Sequence, residues 1–294
     1  MRVTNNMMTA NFLNNLNNNM REMDKIQTQL ATGKRISKPS DDPVSTIYSL
    51  RLNSSITEAE KFLDNVASAN AWLDITDTAL GQAGDILQGV RDLTVRGASD
   101  TLSQASRDSI AKEVAQLREQ LIQVANTSHD GRYIFGGFET TQPPFDVLGN
   151  YTGSAAGANL EYEIGISIKM TVNLTGDSVF KAPVDTIQLL TNIENDLLAG
   201  NTANLSTVRL GQLDQALDNI IAHRASVGAK VNRLEMTQSR LEEAKINFNE
   251  LLSSAEDIDT AEVITQLKMQ ENVYRTALAS GARIIQPTLL DFLR

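Results

Sequence analysis

The sequence predicts a mainly α-helical, elongated protein with a small inserted β domain, in which the N- and C-terminal halves form one long heptad-patterned helical bundle. Three observations predict it. Proline stands at only six positions (39, 43, 143, 144, 183 and 287), leaving 44–142 and 184–286 proline-free. Proline is the strongest helix breaker, costing ~3 kcal/mol in a helix interior. Apolar residues recur over much of both stretches in a 3-4 alternation, the period of a helix face. Between them, eight of the seventeen glycines fall in 131–176, and there the apolar spacing changes to two.

The first element is a helix within 1–36. Phe12, Leu16, Met20, Met23, Ile26 and Leu30 advance by steps of 4, 4, 3, 3 and 4, which keeps them on one face. Gly33 offers a stop, with Lys34 and Arg35 at the end where the helix dipole favours positive charge. Lys38-Pro39-Ser40-Asp41-Asp42-Pro43 reads as a loop by composition. A second helix carries Ala59, Phe62, Val66, Ala69, Leu73, Thr76, Leu80, Ala83, Leu87 and Val90, an a/d seam of more than four heptads. Gly97 and the polar cluster 99–103 mark a turn. Ile110, Val114, Leu117, Leu121, Val124 and Ser128 then continue the rhythm in a helix expected to fold back as an antiparallel hairpin.

In the insert, Ile164, Ile166, Ile168, Met170, Val172 and Leu174 alternate, predicting a half-buried strand that Leu160 and Tyr162 extend backwards. After 184 the helical signal returns. Leu213, Ile220, Val227, Leu234, Leu241 and Phe248 are spaced by seven, with Leu210, Leu217, Val231 and Leu252 on the partner row. Arg224, Gln238 and Lys245 interrupt that row, and polar seam residues cost stability while fixing register. A last helix from about 260 carries Ile264, Leu267, Tyr274, Leu278, Ile285 and Phe292, with Glu271 as the exception. The expected divisions are 1–43 (N-terminal assembly helix), 44–131 (first half of the rod), 132–183 (β-rich outer insert), 184–254 (second half of the rod) and 255–294 (C-terminal assembly helix).

Composition excludes several function classes. The net charge is −10, so the surface repels phosphate, and neither nucleic acid nor anionic lipid is an expected partner. Cysteine is absent, which removes disulfides, thiol catalysis and thiolate-bound metals. No apolar run approaches the ~18 residues of a membrane span, so no membrane insertion is expected. The first residues lack the apolar core of a cleaved secretory signal. The chain is therefore expected to be cytoplasmic, or to leave by a route without such cleavage.

Catalytic motifs are missing: there is no GxGxxG, P-loop, GxSxG or HExxH. Thr32-Gly33-Lys34 is similar to the tail of a P-loop but lacks the upstream glycine. His129 and His223 are the only histidines, and they read as a turn residue and a packed or solvated rod residue. Asp41 and Asp42, flanked by Ser40 and Pro43, read as turn and helix cap rather than an acid/base or metal pair. Glu250, Glu256, Asp257, Asp259 and Glu262 read as a solvated face. No catalytic, cofactor-binding or metal-binding residue is assigned, and no enzyme is expected. The two rod seams can satisfy each other within the chain. The terminal helices are marginal alone, because ordering backbone outweighs the burial of one apolar stripe. Both ends are expected to stay mobile in the free monomer and to fold against neighbouring subunits.

The segment Leu30-Ala31-Thr32-Gly33-Lys34-Arg35-Ile36-Ser37-Lys38-Pro39-Ser40-Asp41-Asp42-Pro43 resembles the N-terminal signature of the flagellin superfamily, in the form typical of its hook-associated branch. Gly131-Arg132-Tyr133-Ile134-Phe135-Gly136-Gly137, followed by Pro143-Pro144-Phe145, is similar to that branch's entry to the middle domain, and Ala282–Arg294 to its C-terminus. The resemblance implies a non-enzymatic, extracellular structural protein of the bacterial flagellum, an adaptor between hook and filament. It implies that the chain ends pair into a bundle lining the central channel, with the rod helices outside it and the insert outermost. The implied partners are another hook-associated protein on the hook side, flagellin on the filament side, further copies in a ring, and an export chaperone on the C-terminal region. The implied route is the flagellar type III export channel.

On this reading the assembly contacts fall to Phe12, Leu16, Met20, Met23, Leu30, Leu267, Tyr274, Leu278, Ile285 and Phe292. The loop of Lys38, Pro39, Ser40, Asp41, Asp42 and Pro43 orients the terminal bundle, with Asp41 or Asp42 capping the next helix. Flagellin proper, the filament subunit, shares the terminal pattern and is the nearest alternative. A cytoplasmic scaffold coiled coil and a carbohydrate-binding or adhesin insert are the readings from other classes.

Overall fold

The computed structural model describes residues 5–153 and 159–285. It is mainly helical, with two small two-stranded ladders. It divides into two compact units, one of 1–58 with 244–294 and one of 59–243.

The 59–243 unit is built on two antiparallel helices. Helix α2 (Pro43–Gly97) runs without interruption through its seam, and every seam residue from Ala59 to Val90 is buried. Helix α3 (Gln104–Ala125) starts at Ser103, whose side chain accepts the Ser106 amide, and buries Ala111, Val114, Leu121, Ile122, Val124 and Ala125. Two hairpins follow. β1 (Ser128–His129) and β2 (Arg132–Tyr133) flank an Asp130-Gly131 turn with φ of 51° and 76°. Positive φ at both positions is what a two-residue hairpin turn requires, and Asp-Gly supplies it cheaply. β3 (Glu161–Gly165) pairs antiparallel with β4 (Ile168–Thr171).

This second hairpin corrects the single strand expected over 160–174. The chain reverses at Ile166-Ser167, where Ser167 has φ of 59° and Ile166 is 72% exposed. Period-two spacing carries through a two-residue turn unchanged, so alternation alone does not locate the reversal. Ile164 and Met170 are buried, whereas Ile166 and Ile168 are exposed.

A π-helical turn (Asp177–Lys181) leads through a cis Ala182-Pro183 bond to helix α4 (Thr186–Ala199). Asp185 caps the start of α4, accepting the Gln188 amide at 3.0 Å, and Gly200 ends it with φ of 72°. The one-turn helix α5 (Thr202–Asn204) and a second π-helical turn (Leu205–Arg209) precede helix α6 (Leu210–Glu256). On α6, Leu213, Ile220, Val227 and Leu234 are buried, and Leu241 and Phe248 half-buried.

Arg224, the predicted seam interruption, makes a two-pronged contact with Asp77: Nε to Oδ1 at 3.0 Å and Nη2 to Oδ2 at 3.1 Å. Its guanidinium lies over Gly81, where an added Cβ would stand 3.7 Å from Cζ. Arg91 pairs with Asp214 at 2.8 Å. Contacts 77 to 224 and 91 to 214 run in opposite directions along the chain, which fixes the antiparallel register of α2 and α6.

The insert shares this unit's core. Phe180 packs edge-on against Phe135 (5.3 Å between centroids) and Phe145 (5.6 Å). These rings form one cluster with Leu73, Leu80, Leu121, Leu190 and Ile220. The π-helical turn is clamped to α6: Asn219 Nδ2 donates to the carbonyls of Ser178, Val179 and Ala182, and His223 Nε2 lies 3.1 Å from Ser178 O. His223 is therefore a packed structural residue.

A second polar anchor is Asp196, only 7% exposed. Burial pushes its pKa up, but hydrogen bonds from Arg209 (2.7 Å) and Asn204 outweigh this, and the net shift is downward from 3.8. A depressed carboxylate adds stability that is complete above the unfolded-state pKa and is lost as pH falls through the folded value. Between pH 5 and pH 2 the urea midpoint of the native chain is expected to fall more steeply than that of Asp196→Asn. Parallel curves would remove Asp196 from the acid sensitivity.

Candidate functional site

With no catalytic motif in the sequence, the functional question falls on the terminal helices, which belong to the 1–58/244–294 unit. Helix α1 (Asn5–Thr32) and helix α7 (Thr260–Ile285) pack against each other in antiparallel fashion. On α1 the inward row is Phe12, Leu16, Asn19, Met23, Ile26 and Leu30; on α7 it is Val263, Leu267, Gln270, Tyr274, Ala277 and Gly281. All of these are buried or half-buried. Both rows step by 3 and 4, the coiled-coil pattern. In the folded chain each helix covers the other's inner row.

The register is set by large against small. Gly281 is covered by the Phe12 ring, and an added Cβ there would stand 2.1 Å from Phe12 Cζ. In Gly281→Ala, helix propensity returns at most ~1 kcal/mol, against about 1–3 kcal/mol for overpacking. The expected result is faster amide hydrogen exchange in α1 with unchanged exchange in α3. Unchanged α1 protection would mean that Phe12 swings aside freely.

Both chain crossings out of this pair are strapped together. α1 ends at Gly33 (φ 70°), whose amide donates to Gln29 O at 2.8 Å. Lys34 then faces Asp257 in an antiparallel bridge. The Arg35 amide donates to Glu256 O (2.6 Å), the Ile258 amide to Gly33 O (3.2 Å), and Arg35 Nη2 to Ala255 O (3.0 Å). Lys34 and Glu256 form an ion pair. Lys34 and Glu256 are thus a structural link, not a phosphate site or a free acidic face.

The loop 37–43 divides its two carboxylates by role. Asp41 Oδ2 accepts the Lys38 amide (2.9 Å) and the Ser37 amide (3.3 Å), closing the turn around Pro39 and Ser40. Asp42 caps α2, accepting the Ser45 amide at 3.1 Å and the Ser45 hydroxyl at 2.7 Å. Pro43 follows at the first helical position, where its missing N–H costs nothing. Both carboxyls are held below their ordinary pKa, Asp41 chiefly by the Lys38 amide and Asp42 chiefly by the Ser45 hydroxyl. Lys38 and Pro39 line a cavity of about 110 Å³ with Ile36, Ser49, Asn53 and Glu256.

The predicted assembly residues separate into two sets. Phe12, Leu16, Met23, Leu30, Leu267 and Tyr274 lie in the α1–α7 seam. Met20 (46% exposed) and Leu278 (44% exposed) lie off it. Ile285 is the last residue of α7, and Phe292 lies outside the described residues. The sequence row from Ile264 to Leu278 therefore splits: 267 and 274 face α1, while 264 and 278 occupy the adjacent row. The seam covers only one row of α7.

Exposed apolar side chains remain on both helices: Met7, Met8, Leu13 and Met20 on α1, and Ile264, Met269, Val273 and Leu278 on α7. Met269, Val273, Thr276 and Ala277 line an open, uncharged groove on α7. Met269 and Val273 lie outside the heptad rows counted from the sequence, on the side of α7 away from Ile264; their own spacing of four was the available signal. Among the described residues no cluster of three metal-ligating side chains occurs, and no helix is long and apolar enough to cross a membrane.

Comparison with known proteins agrees with this architecture. The profile of the bacterial flagellin N-terminal helical region matches residues 3–140, and that of the bacterial flagellin C-terminal helical region matches 210–293. Flagellar hook-associated protein 3 of Escherichia coli is 25% identical, covering 94% of this chain and 95% of its own. The flagellin of Bacillus subtilis is 24% identical over the full length of both. Among solved structures, a putative flagellar hook-associated protein of Vibrio parahaemolyticus is similar with a TM-score of 0.69 at 17% identity, covering 74% of this chain and 100% of that one. The flagellar junction protein of Legionella pneumophila has a TM-score of 0.58 at 17% identity, covering 73% and 100%. At such identities the solved structures speak for the fold. With both terminal regions matched and the relatives spanning nearly the whole chain, this protein belongs to the flagellin family and is a structural component of the bacterial flagellum, not an enzyme.

Proposed function

We propose that the chain is the adaptor at the junction between hook and filament and that it assembles axially through its terminal helices. The observation that carries this reading is the unequal use of α1 and α7. Their inner rows are covered within the chain, and a second apolar set is left uncovered on each helix. Exposed apolar surface on both helices of one pair suits contacts with further helices on more than one side. An adaptor has those neighbours: copies of itself in a ring, another hook-associated protein toward the hook, and flagellin toward the filament. The similarity to hook-associated protein 3 over 94% of the chain supports the junction over other flagellar positions. Before assembly, an export chaperone holds the C-terminal region, and the chain travels through the flagellar type III apparatus.

The strapped crossings at 33–35 and 255–258 suit this task. They tie the departure of both terminal helices to one point, so neighbours that grip α1 also position α7. Loop 38–43 sets the direction in which α2 leaves.

Immunogold electron microscopy of intact flagella with antibody against the 132–183 insert tests the reading. Label confined to a band where hook meets filament is expected. A filament subunit is the second reading, favoured by the full-length similarity to Bacillus subtilis flagellin. Label along the whole filament would establish it and overturn the junction.

A further inference from the structure

We propose that the cleft between helix α2 and the two hairpins of the 59–243 unit, lined by Trp72, His129, Asp130, Arg132 and Tyr162, binds an uncharged hexopyranose, the ring of a neutral sugar. The cleft lies within that unit alone and does not depend on the junction reading above, which uses the terminal helices.

The cleft has a volume of about 580 Å³, within the roughly 300–1,000 Å³ of small-molecule sites. Local structure sets its walls. His129 and Arg132 stand opposite each other in the β1–β2 ladder, so their side chains leave the same face of that hairpin. The His129 ring stands edge-on to the Trp72 ring, with 6.3 Å between centroids and 80° between planes. Asn65 Nδ2 donates to Glu163 O at 2.8 Å, which holds β3, and Tyr162 with it, against α2. On α2, Ala67 and Ala71 are exposed one turn apart, and their small side chains leave the floor open.

The polar groups around this cleft are uncommitted. Among the described residues His129, Asp130, Arg132 and Tyr162 have no side-chain hydrogen bond or ion pair, and the buried Trp72 Nε1 finds no acceptor. Arg132 donates and Asp130 accepts, so their charges cancel on a chain whose net charge is −10. A sugar hydroxyl both donates and accepts, so one neutral ring serves both groups. A carboxylated or phosphorylated ligand would gain Arg132 but be repelled by Asp130. The aromatic groups narrow the choice further. Trp72 and His129 form a corner and not a parallel slot, so a flat heterocycle cannot stack between them. A pyranose carries C–H groups on its faces and hydroxyls around its edge. It can lay apolar surface against Tyr162 and Trp72 while its hydroxyls reach Asp130 and Arg132. A ligand oxygen drawn against Trp72 would supply the acceptor that its N–H lacks.

The chain's single tryptophan lines the cleft, so its emission reports occupancy. The test titrates the full-length chain with glucose, galactose, mannose, their methyl glycosides and glucuronate, and records saturation-transfer NMR on the same samples. At least one neutral sugar is expected to give a saturable change in emission together with saturation transfer, with glucuronate binding at least about tenfold more weakly. Asp130→Asn keeps a residue that tolerates the positive φ of the turn, and Arg132→Gln alters an exposed side chain. Both variants should fold, as far-ultraviolet circular dichroism will check, and each should raise the half-saturating sugar concentration at least about tenfold. A methyl glycoside that binds as its free sugar does identifies the end of a linked glycan, and binding of free sugars alone identifies a monosaccharide; both uphold the site. No saturation transfer from any neutral sugar, glucuronate binding as tightly as the neutral sugars, or folded variants that bind like the native chain overturns the inference.

Discussion

Phe180→Ala is expected to destabilise the protein by about 3–5 kcal/mol, the range for removing a fully buried phenylalanine. The ring is fully buried and meets both Phe135 and Phe145 edge-on. Such geometry adds about 0.5–1.5 kcal/mol per aromatic pair beyond area burial. Its neighbours are poorly placed to collapse into the cavity. Val179 and Phe180 ride on a π-helical turn whose carbonyls are held by Asn219, and the Phe135 carbonyl accepts the Gly176 amide at 2.8 Å. A urea titration followed by near-ultraviolet circular dichroism should show the loss as a lower midpoint. A loss below about 1 kcal/mol would mean that the insert adds little to the core it shares with α2 and α6. A conservative Phe180→Leu keeps most of the volume and should recover most of the stability.

Leu278→Asp is expected to leave the free chain folded and exported while abolishing incorporation into flagella. Leu278 is 44% exposed and off the α1–α7 seam, so a carboxylate there stays hydrated in the free chain. Against a neighbouring subunit it becomes a desolvated, unpaired charge, which costs several kcal/mol. That corresponds to a fall of about a hundredfold or more in docking affinity. Secreted chain in the culture medium, with no label at hook ends, is the expected pattern. Normal incorporation would remove Leu278 from the interface. Loss of the folded chain itself would show that Leu278 supports α7 internally. Tyr274→Asp serves as the contrast: Tyr274 lies in the seam, so that change should loosen the α1–α7 pair even in the monomer.

The two substitutions also mark where sequence pattern stops being informative. Every residue of the row from Ala59 to Val90 is buried, because two long helices in one chain cover each other and the heptad row is the surface they share. The row Leu213, Ile220, Val227 and Leu234 follows the same logic. On α7, one pattern joined Leu267 and Tyr274 to Ile264 and Leu278, yet only the first two face α1. Periodicity reports which side of a helix is apolar. It does not report how many neighbours that side has. The hairpin of β3 and β4 was obscured for a related reason, since alternation passes through a two-residue turn without a break in phase.

Residue chemistry was legible where a single local geometry satisfies it. Asp42 before Pro43 could cap α2, because that need is met within four residues. Contacts between distant segments left no such trace. The role of Asn219, which holds three carbonyls of 178–182, the pairing of Lys34 with Glu256, and the burial of Asp196 beside Arg209 join residues that no spacing rule connects.

The sequence by itself determined the helical class, the heptad rows of the rod and the flagellin-like termini. These follow from proline placement, apolar period and local motif, which act over one or two turns of chain. Only the tertiary structure decided which apolar row each terminal helix buries, that both crossings are strapped at 33–35 and 255–258, and that the insert shares its core with the rod. Those outcomes depend on which surfaces meet. A helix face is buried by the neighbour that reaches it, and α1 covers one row of α7 while Ile264, Met269, Val273 and Leu278 stay exposed.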